Sequence, residues 1–240
     1  MTIHKRIKVE FPIPYSTRNL IAWYDGEWNA GLGLHDDHSL VDLSGNGQDM
    51  AIQSGSIEFG KNFFRATSPD AMLSAAPCRL LRHYDYTADT ITAEFAVGPD
   101  TTVNGTIFGT ALNPGYTCPM GFRFNAIGEL SKCYASVGWN QFAIPSIKGS
   151  DTQNRTITFV KHPLANNEIP VAFYENGTLM ETQSRFVGNA NTIERLALLN
   201  CAGMNAFMGK FHSFRLYLGT HTVSEISANA AIDAERFFSH

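Results

Sequence analysis

Short runs of alternating polar and apolar residues, each closed by a turn residue, restrict what this chain can fold into more than any other feature. Thr90-Ile91-Thr92-Ala93-Glu94-Phe95-Ala96-Val97 puts Ile91, Ala93, Phe95 and Val97 on one face of an extended strand, because strand side chains change sides at every residue. Residues 156–160 repeat the pattern. Residues 170–174 and 179–182 flank Glu175-Asn176-Gly177-Thr178. Asn-Gly accepts the positive φ angles of a type I′ turn, so this spacing predicts a hairpin. Further short strands are expected at 20–24, 56–59, 106–111, 121–125, 130–135, 193–199 and 209–217. So many short strands with turn residues between them read as a β-sandwich or barrel.

The 240 residues fit a single all-β domain, and no composition break or repeat divides them. At this length a compact fold hides roughly three quarters of the surface of its unfolded chain, so neither disulfides nor a structural metal is needed. Cys78, Cys118, Cys133 and Cys201 are unevenly spaced with no C-x-x-C pair, which argues against zinc and for buried free thiols. A net charge of −4 removes the broad electrostatic footprint of a nucleic-acid binder. No apolar run is long enough for a membrane span. His4, Lys5, Arg6 and Lys8 are followed by Pro12 and Pro14 rather than an unbroken apolar segment, so no export signal is expected.

One helix is expected, at the end. Thr222 can cap it, Glu225 completes a capping box, and Val223, Ile226, Ala230 and Phe237 form an apolar stripe. Residues 1–19 differ from the rest: Ile7, Val9, Phe11, Ile13 and Tyr15 alternate with Lys8, Glu10, Pro12 and Pro14. Proline lacks an amide donor, which restricts such a segment to an edge strand or to an extended arm. An arm could join copies of the chain into a homo-oligomer. The main domain is expected over residues 20–240.

Three stretches carry a resemblance. Leu20-Ile21-Ala22-Trp23-Tyr24-Asp25-Gly26 leads through a Gly-rich loop with His35 to Asp42-Leu43-Ser44-Gly45-Asn46-Gly47. Phe173-Tyr174-Glu175-Asn176-Gly177 follows, and then Phe207-Met208-Gly209-Lys210-Phe211 with the terminal helix. In this order they resemble the concanavalin A-like, laminin G-type jelly-roll domains of phage and bacterial surface proteins. The resemblance implies an antiparallel two-sheet jelly-roll sandwich with a short C-terminal helix. It also implies a non-catalytic recognition or structural module whose partners are a glycan, a protein surface or other virion subunits, and a place in the virion. A bacterial lectin-like protein and a hydrolase with an unfamiliar site are the alternatives.

The chemistry-bearing residues fit recognition better than catalysis. Glycoside hydrolysis needs two carboxyl groups facing across the scissile bond, and the E-x-D-x-x-E string of the jelly-roll glucanases does not occur. Sugar recognition needs an exposed ring to stack on and a few amides. Trp28, Asn29, His35, Tyr116, Trp139, Asn140, Asn189 and Asn191 lie in expected loops or strand ends and are the candidates. Asp36 and Asp37 could supply oxygen ligands to calcium, the metal this donor set suits, although no cofactor is required. Asp25, Gly26, Asp42, Ser44, Gly45, Asn46 and Gly47 read as tight structural turns, since Asp and Ser accept from nearby amides and Gly and Asn tolerate positive φ.

Overall fold

In a computed structural model the chain is described over residues 15–31, 39–75, 84–85, 87–98, 105–111, 120–125, 132–137, 140–148, 153–186, 195–200 and 205–239. Sixteen strands are present among them. In chain order they are β1 (Leu20–Asp25), β2 (Ser39–Leu40), β3 (Met50–Ser54), β4 (Ile57–Phe59), β5 (Phe64–Ala66), β6 (Met72–Ala75), β7 (Ile91–Gly98) and β8 (Gly105–Ala111). There follow β9 (Met120–Asn125), β10 (Lys132–Val137), β11 (Asn140–Lys148), β12 (Arg155–Lys161), β13 (Glu168–Glu175), β14 (Thr178–Phe186), β15 (Arg195–Leu198) and β16 (Lys210–Leu218). A short helix α1 (Gly26–Gly31) follows β1, and α2 (Val223–Asp233) closes the chain with a last π-helical turn over Ala234–Phe238.

The strands form two sheets. One runs β14-β13-β12-β7-β16-β5-β4, with β1 also on β16; the other runs β11-β10-β9-β8-β15-β6-β3-β2. Neighbouring strands pair antiparallel throughout, as the jelly-roll sandwich expected from the sequence requires. The alternation of β7 works as read: Ile91, Ala93, Phe95 and Val97 enter the core between the sheets. There they meet Phe108 and Phe122 from the facing sheet, Phe95 standing 5.7 and 5.1 Å from them. The β13–β14 turn has Asn176 at φ 50° and Gly177 at φ 79°, both left-handed, as a type I′ hairpin needs.

The back of β7 is buried as well, at Thr92, Glu94 and Ala96, because α2 and Tyr15 lie across this outer face. One expectation needs correction. Within α2 the capping box of Thr222 and Glu225 forms in full, and Ile226 and Ala230 are buried. Val223, however, is 59% exposed, and the buried face of α2 carries Asn229 and Asp233 instead. Strand β11, which contains Pro145, is not among the strands expected from the sequence. The proline is tolerated because β11 is an edge strand and its register slips between the pairs Cys133–Ile144 and Lys132–Lys148, a bulge that takes up the proline.

Candidate functional site

Three segments distant in sequence meet at one corner of the sandwich: α1, the turn after β2, and the end of α2. Asp25, the last residue of β1, caps α1 by accepting from the Trp28 amide at 3.0 Å. Gly26 is required here because a Cβ would stand 2.6 Å from the Phe63 backbone, which the β4–β5 turn presses against it. In the neighbouring turn one Asp42 oxygen accepts from the amides of Trp23 and Ser44 at 2.9 and 3.0 Å. Its other oxygen accepts from the Ser44 hydroxyl and the Gln48 amide at 2.8 and 3.0 Å. The Asn46 amide donates to the Leu20 and Ile21 carbonyls. Gly45 sits at φ 82° and Gly47 at φ 72°. These side chains fix the loop to β1.

Behind the corner lies a buried ionic cluster. Arg215 on β16 stands directly opposite Glu94 on β7. Its guanidinium grips Asp233 of α2 through two bonds of 2.8 and 2.6 Å and Glu94 through one of 3.1 Å. All three side chains have 0% exposure. Glu94 also accepts from Asn229 at 2.9 Å, and its other oxygen lies 3.5 Å from His221 Nδ1. Thr156 donates to Asp233 at 3.1 Å. Burial alone would depress the Arg215 pKa, but Asp233, Tyr15 and Glu94 outweigh it and hold the group charged.

Tyr15 joins this cluster to a second one. Its hydroxyl donates to Asp233 at 2.8 Å and accepts from Arg236 at 2.7 Å, while its ring lies 4.0 Å from the Arg215 guanidinium. Burial, then the charge of Asp233, pushes the Tyr15 phenol well above its usual pKa. Arg236 binds both oxygens of Asp25 at 2.8 and 3.1 Å and reaches Glu27 at 2.8 Å. Burial pushes the Asp25 carboxyl up in spite of this arginine.

The candidate residues fall in different surroundings. Asn29 is buried, and its amide is committed to the chain itself: it donates to the Asp25 and Val41 carbonyls and accepts from the Val41 amide. Trp28 is half-buried; its ring packs edge-on 5.0 Å from Trp23, and the Arg236 guanidinium lies 4.3 Å from its centre. Its ring thus packs between Trp23 and the end of α2. Asn140 begins β11, paired with Val137. His35, Asp36, Asp37, Tyr116, Trp139, Asn189 and Asn191 lie outside the described residues. Among the described residues no three His, Cys, Asp or Glu side chains gather as a metal site would require.

Sequence reasoning missed Arg215, Asp233, Arg236 and Tyr15 as a unit. The available signal was weak: Glu94 and Arg215 each stand between two apolar neighbours on an expected strand, but nothing local says that those strands are neighbours.

No protein-family model matches the sequence, and no curated protein matches it. Solved structures do resemble the fold. Trypanosoma rangeli sialidase aligns over 91% of this chain and 33% of its own, with a TM-score of 0.62 and 12% identity. Domain 4 of a GH43 extracellular arabinanase from Geobacillus stearothermophilus, solved with arabinotriose, aligns over 88% of this chain and 98% of its own (TM-score 0.58, 17% identity). The receptor-binding domain of a botulinum neurotoxin C/D mosaic serotype aligns over 93% and 52% (TM-score 0.66, 11% identity). The chain thus spans about a third of the sialidase and half of the toxin domain. At such identities the likeness is one of fold.

Proposed function

We propose that this chain is a non-catalytic recognition module that binds a glycan through turns at the rim of its sandwich. The observation that carries this reading is the fate of its acids. Glu94, Asp233 and Asp25 are buried and held by Arg215 and Arg236, so these three carboxylates, among the described residues, are engaged in holding the fold together. Hydrolysis would need a pair free to exchange protons across a bound sugar. The likeness to an arabinanase domain solved with arabinotriose supports a sugar as ligand. A protein receptor is the second reading, supported by the toxin receptor-binding domains. The laminin G-type resemblance of residues 20–26, 42–47 and 207–217 supports a place in a phage virion.

A glycan array probed with the whole chain tests the reading, with reducing-end release measured on every glycan that binds. Binding without turnover is expected. Cleavage that disappears when one acidic residue is changed would replace the module with an enzyme, and an empty array beside ordered self-assembly would favour a purely structural virion component.

A further inference from the structure

We propose that residues 7–13 of one copy of this chain pair, as an added strand, with the free edge of β14 on a second copy. This is independent of the glycan reading. Ile7, Val9, Phe11 and Ile13 alternate with Lys8, Glu10, Pro12 and Pro14. Successive amides of an extended segment point to opposite edges, so both prolines strip donors from one edge, while the amides of Ile7, Val9, Phe11 and Ile13 keep the other intact. Such a segment pairs on one side only. It lies outside the described residues, which begin at Tyr15, and Tyr15 is fastened to Asp233 and Arg236. From there to Arg18 the chain runs back along α2, past Asn229 to Glu225 and Thr220, so residues 1–14 join the body at the C-terminal end of this helix. Phe11 and Ile13 each precede a proline, which favours extended backbone, and residues 1–14 contain no Gly, Asn or Asp to reverse the chain. The segment therefore reaches a neighbour instead of folding back on its own body.

Among the described residues four strands end the two sheets. β2 and β4 have only 2 and 3 residues, and β11 is broken by Pro145 and its bulge, whereas β14 offers 9. Exposed apolar surface lies at the same place. Leu179 is 51% exposed and stands opposite Tyr174, which packs with Ile226 of α2 on the outer face of the sheet. Met180, also exposed, is the extra residue of a bulge. Beside them the Ser227 hydroxyl donates to the Gly177 carbonyl at 3.0 Å, and the exposed Val223 lies one turn before Ser227 on the same side of α2. Three of the four large apolar side chains exposed among the described residues thus belong to β14 or the start of α2. Charge favours the same pairing: Lys5, Arg6 and Lys8 against Glu10 make the segment basic on a chain of net charge −4, so segment and body attract. A strand added at β14 gains main-chain hydrogen bonds and covers Leu179 with its own apolar row.

The test is sedimentation velocity of the full chain beside Phe11→Glu, Leu179→Lys and an equimolar mixture of the two variants. The unaltered chain should dimerise, and each variant should do so more weakly by about tenfold or more. The mixture should recover dimer, since the intact segment of one variant meets the intact edge of the other. An unaltered chain that stays monomeric up to about 100 µM overturns the pairing. If only Phe11→Glu is weakened, segments pair with each other; if only Leu179→Lys, edge meets edge; if neither, another surface joins the copies. Each of these outcomes overturns the proposal, as does a mixture that stays monomeric. A second measurement does not depend on the variants folding. Benzoylphenylalanine in place of Phe11, in a mixture of light and heavy-isotope chains, should cross-link between chains to residues 178–186 or to the first turn of α2. Cross-links confined to one chain, or mapping to another edge, overturn it.

Discussion

Replacing Arg215 by methionine takes away the cation that Glu94 and Asp233 share. The guanidinium makes four hydrogen bonds: two to Asp233, one to Glu94 and one to Ser213 at 3.0 Å. Asp233 would keep Tyr15 and Thr156, and Glu94 would keep Asn229 and the Tyr217 hydroxyl, but all four are neutral donors. Two carboxylates would then remain buried without a countercharge. Breaking a buried pair in this way costs about 3–5 kcal/mol, which puts the loss at about 4. For a chain of this length that lowers the melting temperature by roughly 8–16 °C. Urea unfolding followed by tryptophan fluorescence reads the same quantity, with an unchanged slope showing that the compactness of the two states is not altered. Adding Glu94→Met and Asp233→Leu removes the stranded charges, so the triple variant should recover part of the loss. A loss below about 1 kcal/mol for Arg215→Met would refute the argument, because no fully buried and unshielded pair of carboxylates is so inexpensive.

Other perturbations test separate parts of the fold. Lys161 is buried, with its Nζ donating to the Asp89 carbonyl at 2.6 Å, and burial lowers its pKa to about 8 against an ordinary 10.5. The unfolded chain then binds the extra proton between these values. Across that window the native chain should gain stability relative to Lys161→Met, by roughly 2 kcal/mol after allowance for solvent screening; pH-dependent urea melts of the two chains read this difference, and parallel profiles would refute it. Gly45→Ala meets open space but a φ of 82°, so chemical denaturation should report a loss of about 1–2 kcal/mol. At Gly26 the Phe63 backbone is in the way, and Gly26→Ala should lose more, about 3 kcal/mol. If Asp36 and Asp37 hold calcium, millimolar Ca²⁺ raises the melting temperature and EDTA reverses it; an unchanged melt removes the ion.

What could be read from the sequence is what neighbours along the chain decide. The alternation of β7, the Asn176-Gly177 turn and the Thr222–Glu225 box each need only residues a few positions apart, and all three form as read. The Asp42–Gly47 turn belongs with them in part: the Asp42 carboxylate accepts from the Ser44 and Gln48 amides a few residues on, while its bond to the Trp23 amide needs β1 alongside. β11 was not among the expected strands; its Pro145 is tolerated at a sheet edge, and which strand lies at the edge is decided by position in the sheet.

The ionic cluster is the opposite case. Glu94, Arg215 and Asp233 look alike in sequence to any solvated charge, and 121 residues separate the first two. Their meaning changed when the sheet order set β7 beside β16 and α2 came down across their outer face. The same placement left Val223 outside, filled the Asn29 amide with backbone partners and laid Arg236 over Trp28. The sequence by itself determined where the chain extends, turns and caps, because those depend on local torsions and on amides within reach of a side chain. Which charges are paired and buried, and which rings remain accessible, was decided only in the tertiary structure, since desolvation and electrostatic pairing depend on what packs against a group in space.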